Sequence, residues 1–118
     1  GYGPGEHTRD FIYVKDVVKV NFYFWEHPEI SGIFNCGTGH AHQFNTLAKG
    51  VLKHFGSGEL EYVPFPEVLK GKYQSFTQAD TANLLAAGYD GGFTPIEDAI
   101  AEYCELLDKT GGYYVYER

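Results

Sequence analysis

Methionine is missing from all 118 residues, tryptophan occurs once and cysteine twice. Positive charge is also scarce: 9 Lys and Arg stand against 16 Asp and Glu, giving a formal net charge of -7. A nucleic-acid-binding surface needs a positive stripe, so that class falls well below the others. Anionic ligands must then be held locally rather than drawn in by the whole chain. Cys36 and Cys104 lack metal-ligand spacing and are expected as two reduced thiols rather than a disulfide. No apolar run reaches membrane-spanning length, and no basic segment followed by an apolar one opens the chain. Neither membrane insertion nor secretion is signalled, and the expected setting is cytoplasmic. With Gly at position 1, the expectation is a processed, truncated or partial product.

What is present suffices for one small domain or fragment with a modest core, since 43% of the residues are hydrophobic and aromatics alone make up 17%. Gly1 to His7 is turn material, either a chain end or a loop over a site. Phe11 to Val14 is a compact β-prone run, and Asp16 is placed to cap a following helix. That helix carries Val17, Val20, Tyr23 and Phe24 up to Trp25, with Phe24 and Trp25 expected in the core, and His27-Pro28 stops it. Ile33 to Cys36 reads as a short buried strand running into the turn Gly37-Thr38-Gly39.

A second helix follows on Phe44, Leu47, Ala48, Val51, Leu52 and Phe55, closed by Gly56 and Gly58. Glu59 to Val63 alternates like a strand, and strand, helix, strand at this spacing implies a parallel unit with a right-handed crossover. Val68 and Leu69 share a short turn, Gln74 to Ala79 reads as extended, and Asp80 caps a brief helix through Leu84 and Leu85 that Gly88 ends. The clearest helix signature is Thr94 as cap, Pro95 at the first position and Glu97 closing a capping box, with Ile96, Ile100, Tyr103, Cys104 and Leu107 facing the core. Tyr113 to Arg118 is left as a surface strand or an ordered tail.

Several catalytic patterns do not occur. The turn GTGHAH lacks the third glycine of a dinucleotide-binding fingerprint, so a nicotinamide cofactor held by this chain alone is not expected. His40, His42 and His54 have no Cys or carboxylate at metal spacing, and no metal is expected. No G-x-S-x-G supports serine hydrolysis, and none of the 10 tyrosines is followed four residues later by a lysine. The charge candidates are Arg9 and Lys72, each ahead of an aromatic-containing extended segment. Arginine offers a fork of donors for two phosphate oxygens and lysine a compact cation. Arg9 either holds such an anion or pairs with Asp10, Asp16 or Glu6; both readings stay open on the residues alone.

In order along the chain, RDFIYVKDVVKVNFYF, SGIFNCGTG, LEYVPFPEVLKGKYQSFTQAD and LLAAGYD resemble the C-terminal part of the ADP-L-glycero-D-manno-heptose 6-epimerase family, in the extended short-chain dehydrogenase/reductase superfamily. The likeness spans nearly the whole chain. The R-D-F-x-Y-V-x-D-V element is common to the wider superfamily of nucleotide-sugar enzymes; YVPFP with KGKYQSFTQAD is the more specific part.

The resemblance implies a small α/β substrate-binding domain over residues 1–118, with short strands and about four helices, of an enzyme whose Rossmann domain is absent here. It implies a full-length homo-oligomer using NADP or NAD to invert C6'' of ADP-heptose by transient oxidation and reduction, supplying the lipopolysaccharide inner core. The proton chemistry would belong to a tyrosine and lysine outside this stretch, so the chain contributes no catalytic residue. By matching motif, Arg9 takes the nucleotide diphosphate and Tyr73 contacts substrate. Lys72 stands where many members have arginine, which keeps the charge and loses the fork. Tyr2, Gly3 and Pro4 fall in the loop over ADP, although GYGP departs from the phenylalanine-containing form. Asp10 and Asp16 would orient the arginine and cap the helix, with Asn35 and Thr38 buttressing the cleft. The alternatives are a free-standing nucleotide-sugar binding module and the equivalent part of another nucleotide-sugar epimerase or dehydratase.

Overall fold

The computed structural model describes residues 2–112, and the predicted strand or tail at Tyr113 to Arg118 lies outside them. In chain order the elements are β1 (Thr8–Arg9), α1 (Val14–Glu26), β2 (His42–Gln43), α2 (Phe44–Phe55), a 3-10 turn (Glu67–Leu69), α3 (Ala82–Ala86) and α4 (Ile96–Lys109). The chain is thus a small α/β unit with four α-helices and two short strands among the described residues.

The strands are antiparallel, Thr8 opposite Gln43 and Arg9 opposite His42. On its other side Thr8 forms a parallel bridge to Phe76, with its N–H donating to the Ser75 carbonyl at 2.9 Å and its carbonyl accepting from Thr77 N–H at 3.3 Å. Three short lanes, 42–43, 8–9 and 75–77, therefore meet at the segment that carries Arg9. The middle of the predicted extended stretch from Gln74 to Ala79 supplies the third lane.

Two small cores lie around this ribbon. Val20 of α1 and Leu84 of α3 bury with Tyr89, backed by Tyr23, Phe24, Phe34 and Phe93. Ile96, Ile100 and Cys104 of α4 bury with Phe11, Leu47 and Val51. Helix α2 crosses α4 closely at Gly50, where a Cβ would come within 2.8 Å of Ile100 Cδ1. The predicted end of α2 is met: Gly56 adopts φ 70°, a conformation that favours glycine, and its N–H donates to the Leu52 carbonyl at 2.8 Å. Asp80 does serve α3, accepting the Ala82 N–H at 3.0 Å.

Other expectations are corrected. Phe11 to Val14 is not a strand: Tyr13 is the N-cap of α1, and Val14 already belongs to the helix. Ile33 to Cys36 and Glu59 to Val63 are not strands either, and Ile33 is 93% exposed rather than buried. A strand needs a partner to satisfy its N–H and C=O groups, and no described segment runs alongside these two. The parallel crossover unit is therefore absent among the described residues, and the one described sheet is the two-stranded antiparallel pair. Trp25 is 80% exposed rather than core, on the same face of α1 as exposed Val14, Val18 and Phe22. Helix α4 takes Pro95 as its N-cap and has no side-chain cap, because the Thr94 hydroxyl is engaged elsewhere.

Candidate functional site

Alternation along the chain at β1 sends neighbouring side chains to opposite sides, and this separates Arg9 from Asp10. The Arg9 guanidinium donates to the carbonyls of Thr8 at 2.7 Å and Gln74 at 2.6 Å. Its central carbon sits 4.7 Å from the centroid of the Tyr73 ring and 6.0 Å from that of Phe44, within cation–π range. None of Glu6, Asp10 or Asp16 pairs with it, and among the described residues no carboxylate does. Among the described residues the rest of its donor fork has no partner, and a guanidinium beside an aromatic face has the chemistry to receive an anion. The expectation that Asp10 orients the arginine is corrected.

Asp10 instead ties three segments together. One carboxylate oxygen accepts the Thr38 N–H at 3.0 Å and the Thr38 hydroxyl; the other accepts the N–H groups of Gly39 at 2.8 Å and Ala79 at 3.1 Å. Gly37 makes this approach possible, since a Cβ there would lie 2.4 Å from the Ala79 Cβ. Burial pushes the Asp10 carboxyl up, but the hydrogen bonds from Thr38, Ala79 and Gly39 outweigh it and hold the group below its ordinary value. Thr38 thus acts through Asp10 behind the ribbon, and Asn35 adds a long bond from its amide to the Asp80 carbonyl at 3.3 Å.

The same bonds bear on cofactor binding. A dinucleotide turn presents free N–H groups to pyrophosphate, whereas here the amides of Thr38 and Gly39 already face the carboxylate of Asp10. The residues present do not fit a nicotinamide dinucleotide at this turn. No group of three His, Cys, Asp or Glu side chains among the described residues is arranged to hold a metal ion.

Asp16 is 2% exposed and also does not cap its own helix. It reaches the start of α4, where its carboxylate accepts the Thr94 N–H at 2.7 Å and the Thr94 hydroxyl at 2.9 Å. Its task is to join α1 to α4 behind the ribbon.

The loop before β1 is fastened in place. Gly3 donates its N–H to the Glu6 carboxylate at 2.7 Å, the Pro4 carbonyl accepts from the Asn45 side-chain amide at 3.0 Å, and the Asn45 backbone N–H donates to the Gly5 carbonyl at 3.0 Å. Gly5 needs to be glycine, since its φ is 68° and Asn45 fills the space a Cβ would take. Tyr2 stacks on His7 with centroids 5.4 Å apart, and His7 meets the edge of Tyr73 at 5.5 Å. Tyr2, Arg9 and Tyr73 are therefore brought into one neighbourhood. Lys72 is exposed, and among the described residues no hydrogen bond or ring contact draws its ammonium into that group.

Sequence reasoning missed His7, Phe65, Phe44 and Asn45. The histidines offered only metal spacing as a signal, and Phe65 lay between two prolines in a segment read as a strand end. An apolar cavity of about 580 Å³ between α1, α2 and α4, lined by residues such as Tyr13, Val18, Leu47 and Tyr103, lies apart from this site; neither Arg9 nor Tyr73 lines it.

The profile of the NAD dependent epimerase/dehydratase family matches residues 2–37. ADP-L-glycero-D-manno-heptose-6-epimerase of Alkalilimnicola ehrlichii is 52% identical over 107 residues, covering 91% of this chain and 33% of that protein. The protein of the same name in Brachyspira hyodysenteriae is 49% identical over 111 residues, covering 94% of this chain and 35% of its own length. The chain thus spans about a third of the length of these relatives. Among solved structures, UDP-N-acetylglucosamine 4-epimerase from Methanobrevibacter ruminantium superposes with a TM-score of 0.75 at 23% identity, over 93% of this chain and 34% of that one. That likeness shows the fold alone. An NAD-dependent NDP-hexosamine 5,6-dehydratase of tunicamycin biosynthesis gives a TM-score of 0.73 at 25% identity, over 92% of this chain and 35% of that one. With half of its residues shared along nearly its whole length, the chain is similar to a C-terminal portion of these ADP-L-glycero-D-manno-heptose-6-epimerases.

Proposed function

We propose that residues 1–118 are the substrate-binding portion of an ADP-glyceromanno-heptose 6-epimerase, which interconverts ADP-D-glycero- and ADP-L-glycero-D-manno-heptose by transient oxidation and reduction at C6''. The observation that carries the binding role is Arg9, whose guanidinium lies over Tyr73 with no carboxylate partner among the described residues. A cation in that setting suits a diphosphate, and an adjacent aromatic face suits the base or sugar attached to it. Arg9 takes the diphosphate, Tyr73 lines the substrate, and Tyr2, Gly3 and Pro4 form the loop over it; Lys72 contributes charge from further out. Asp10, Asp16, Thr38 and Asn35 hold these segments in register.

Chemistry is assigned to the remainder of the full-length polypeptide. NADP or NAD held there supplies hydride exchange, and a tyrosine and lysine there move the proton. This chain lacks a Tyr-x-x-x-Lys, and the amides of its GTG turn are engaged by Asp10. The exposed apolar stripe Val14, Val18, Phe22 and Trp25 on α1 is the face on which that remainder packs. The test is kinetic. In the full gene product, Arg9→Ala should raise KM for ADP-heptose with little change in kcat, while the 118-residue chain given ADP-D-glycero-D-manno-heptose and NADP should show no turnover. Sustained epimerisation by the chain, or an unchanged KM in the variant, would overturn the reading.

A further inference from the structure

The segment that joins α2 to the 3-10 turn has no regular secondary structure and buries little, with Tyr62 52% and Val63 78% exposed. A segment of this kind is placed by the few contacts that tether it. Among the described residues one hydrogen bond ties 57–65 to another part of the chain, from the Tyr62 hydroxyl to Asn45 Oδ1 at 2.9 Å. The other end of the same carboxamide holds a second loop: Asn45 Nδ2 donates to the Pro4 carbonyl at 3.0 Å, 41 residues earlier. An amide suits this double task because it carries an acceptor and donors together, whereas a carboxylate only accepts and a hydrocarbon does neither. Asn45 is itself held firmly. It lies in the first turn of α2, where its backbone N–H has no partner within the helix and donates instead to the Gly5 carbonyl at 3.0 Å. Gly5, at φ 68° and without a side chain, leaves the room that the carboxamide fills.

Both tethered loops lead to the same place. Tyr2 stacks on His7 at 5.4 Å, His7 and Phe65 each meet Tyr73 edge-on at 5.5 Å, and the Arg9 guanidinium lies 4.7 Å from the Tyr73 centroid. We propose that Asn45 is a positioning residue of the full-length enzyme, a clasp that joins the loops on either side of the Arg9–Tyr73 pair into one preset wall. This rests on the binding role proposed for Arg9. Asn45 acts through Pro4 and Tyr62 rather than on the reacting atoms. Loops that are loose before binding must be ordered by the ligand, and that cost is subtracted from affinity. Losing the clasp therefore weakens substrate binding and leaves the chemical step alone.

The experiment uses the full-length gene product with its nicotinamide cofactor, assayed with ADP-D-glycero-D-manno-heptose. Asn45→Ala removes both bonds and should raise KM about tenfold; Tyr62→Phe removes one and should raise it about threefold, each with kcat within about twofold of wild type. The double variant should match Asn45→Ala alone, because the Tyr62 hydroxyl then has no partner left to lose. Tyr62→Phe changes only an exposed loop, so its thermal midpoint should stay at the wild-type value while KM moves. If both single variants leave KM unchanged while Arg9→Ala raises it, the clasp is overturned and the diphosphate reading stands. Additive effects in the double variant, or a loss confined to kcat, also overturn the clasp. Should Asn45→Ala fail to fold, Tyr62→Phe decides alone, and an unchanged KM there refutes the proposal. If Arg9→Ala leaves KM unchanged, the binding role falls and the clasp falls with it.

Discussion

Thr94 gives both its backbone N–H and its hydroxyl to the carboxylate of Asp16, 78 residues earlier in the chain. The pair fastens the start of α4 to the first turn of α1, and the acceptor is almost fully buried. Replacing Asp16 with Ala removes two charge-assisted bonds and leaves the Thr94 donors facing a cavity. The expected loss is about 1.5–3 kcal/mol of stability, read as a lower urea midpoint. Thr94→Val keeps the N–H bond and should cost less. Equal midpoints for wild type and Asp16→Ala would refute the fastening role.

Asp10 makes stability depend on acid. Its folded-state carboxyl lies below its ordinary value despite the opposing effect of burial, because Thr38, Ala79 and Gly39 donate to the ionised form. A depressed carboxyl contributes its full stability above the unfolded value and loses it as pH falls through the folded one. The stability gap between wild type and Asp10→Asn should therefore be widest at neutral pH and narrow below about pH 4. Urea titrations of both proteins across that range check it; a constant gap would contradict the assigned bonds.

Gly37 has no space for a side chain. An added Cβ would lie 2.4 Å from the Ala79 Cβ and 2.9 Å from an Asp10 carboxylate oxygen. Gly37→Ala should push the 37–39 turn off the ribbon at a cost of about 1–3 kcal/mol. Thermal denaturation reads the loss, and Gly111→Ala, at a position with nothing within contact distance of an added Cβ but with φ at 68°, serves as a control for backbone strain without crowding.

The apolar stripe on α1 should make the isolated chain associate. Sedimentation velocity is expected to show larger species as concentration rises, and Phe22→Ser with Trp25→Ser should shift the distribution towards monomer. A compact monomer at every concentration would count against the packing face.

Much of this architecture is visible in the sequence wherever a segment carries its own information. Helices α2 and α4 are legible from the spacing of Leu47, Val51, Ile96, Ile100 and Cys104, since a helix satisfies its backbone bonds within itself. Ile33 to Cys36 misleads for the opposite reason: it has strand chemistry, yet a strand depends on a neighbour that local reading cannot supply. Asp16 and Thr94 each have the local signature of a cap for the nearest helix, yet they serve one another across 78 residues. At the candidate site, Arg9 and Tyr73 stand out through motif and charge. His7 and Phe65 do not, because their significance is a ring stack assembled from loops distant in sequence.

The turn at Gly37 to Gly39 is an anion receptor whose guest is covalently attached. Asp10 occupies the Thr38 and Gly39 amides as a ligand tethered 28 and 29 residues away in the same chain, at the effective concentration that an intramolecular contact confers. A free phosphate arriving there competes against a rival that never diffuses away. Self-occupancy of this kind turns a sequence that looks like a nucleotide loop into a latch, and leaves the neighbouring Arg9 as the cation that has no carboxylate partner among the described residues.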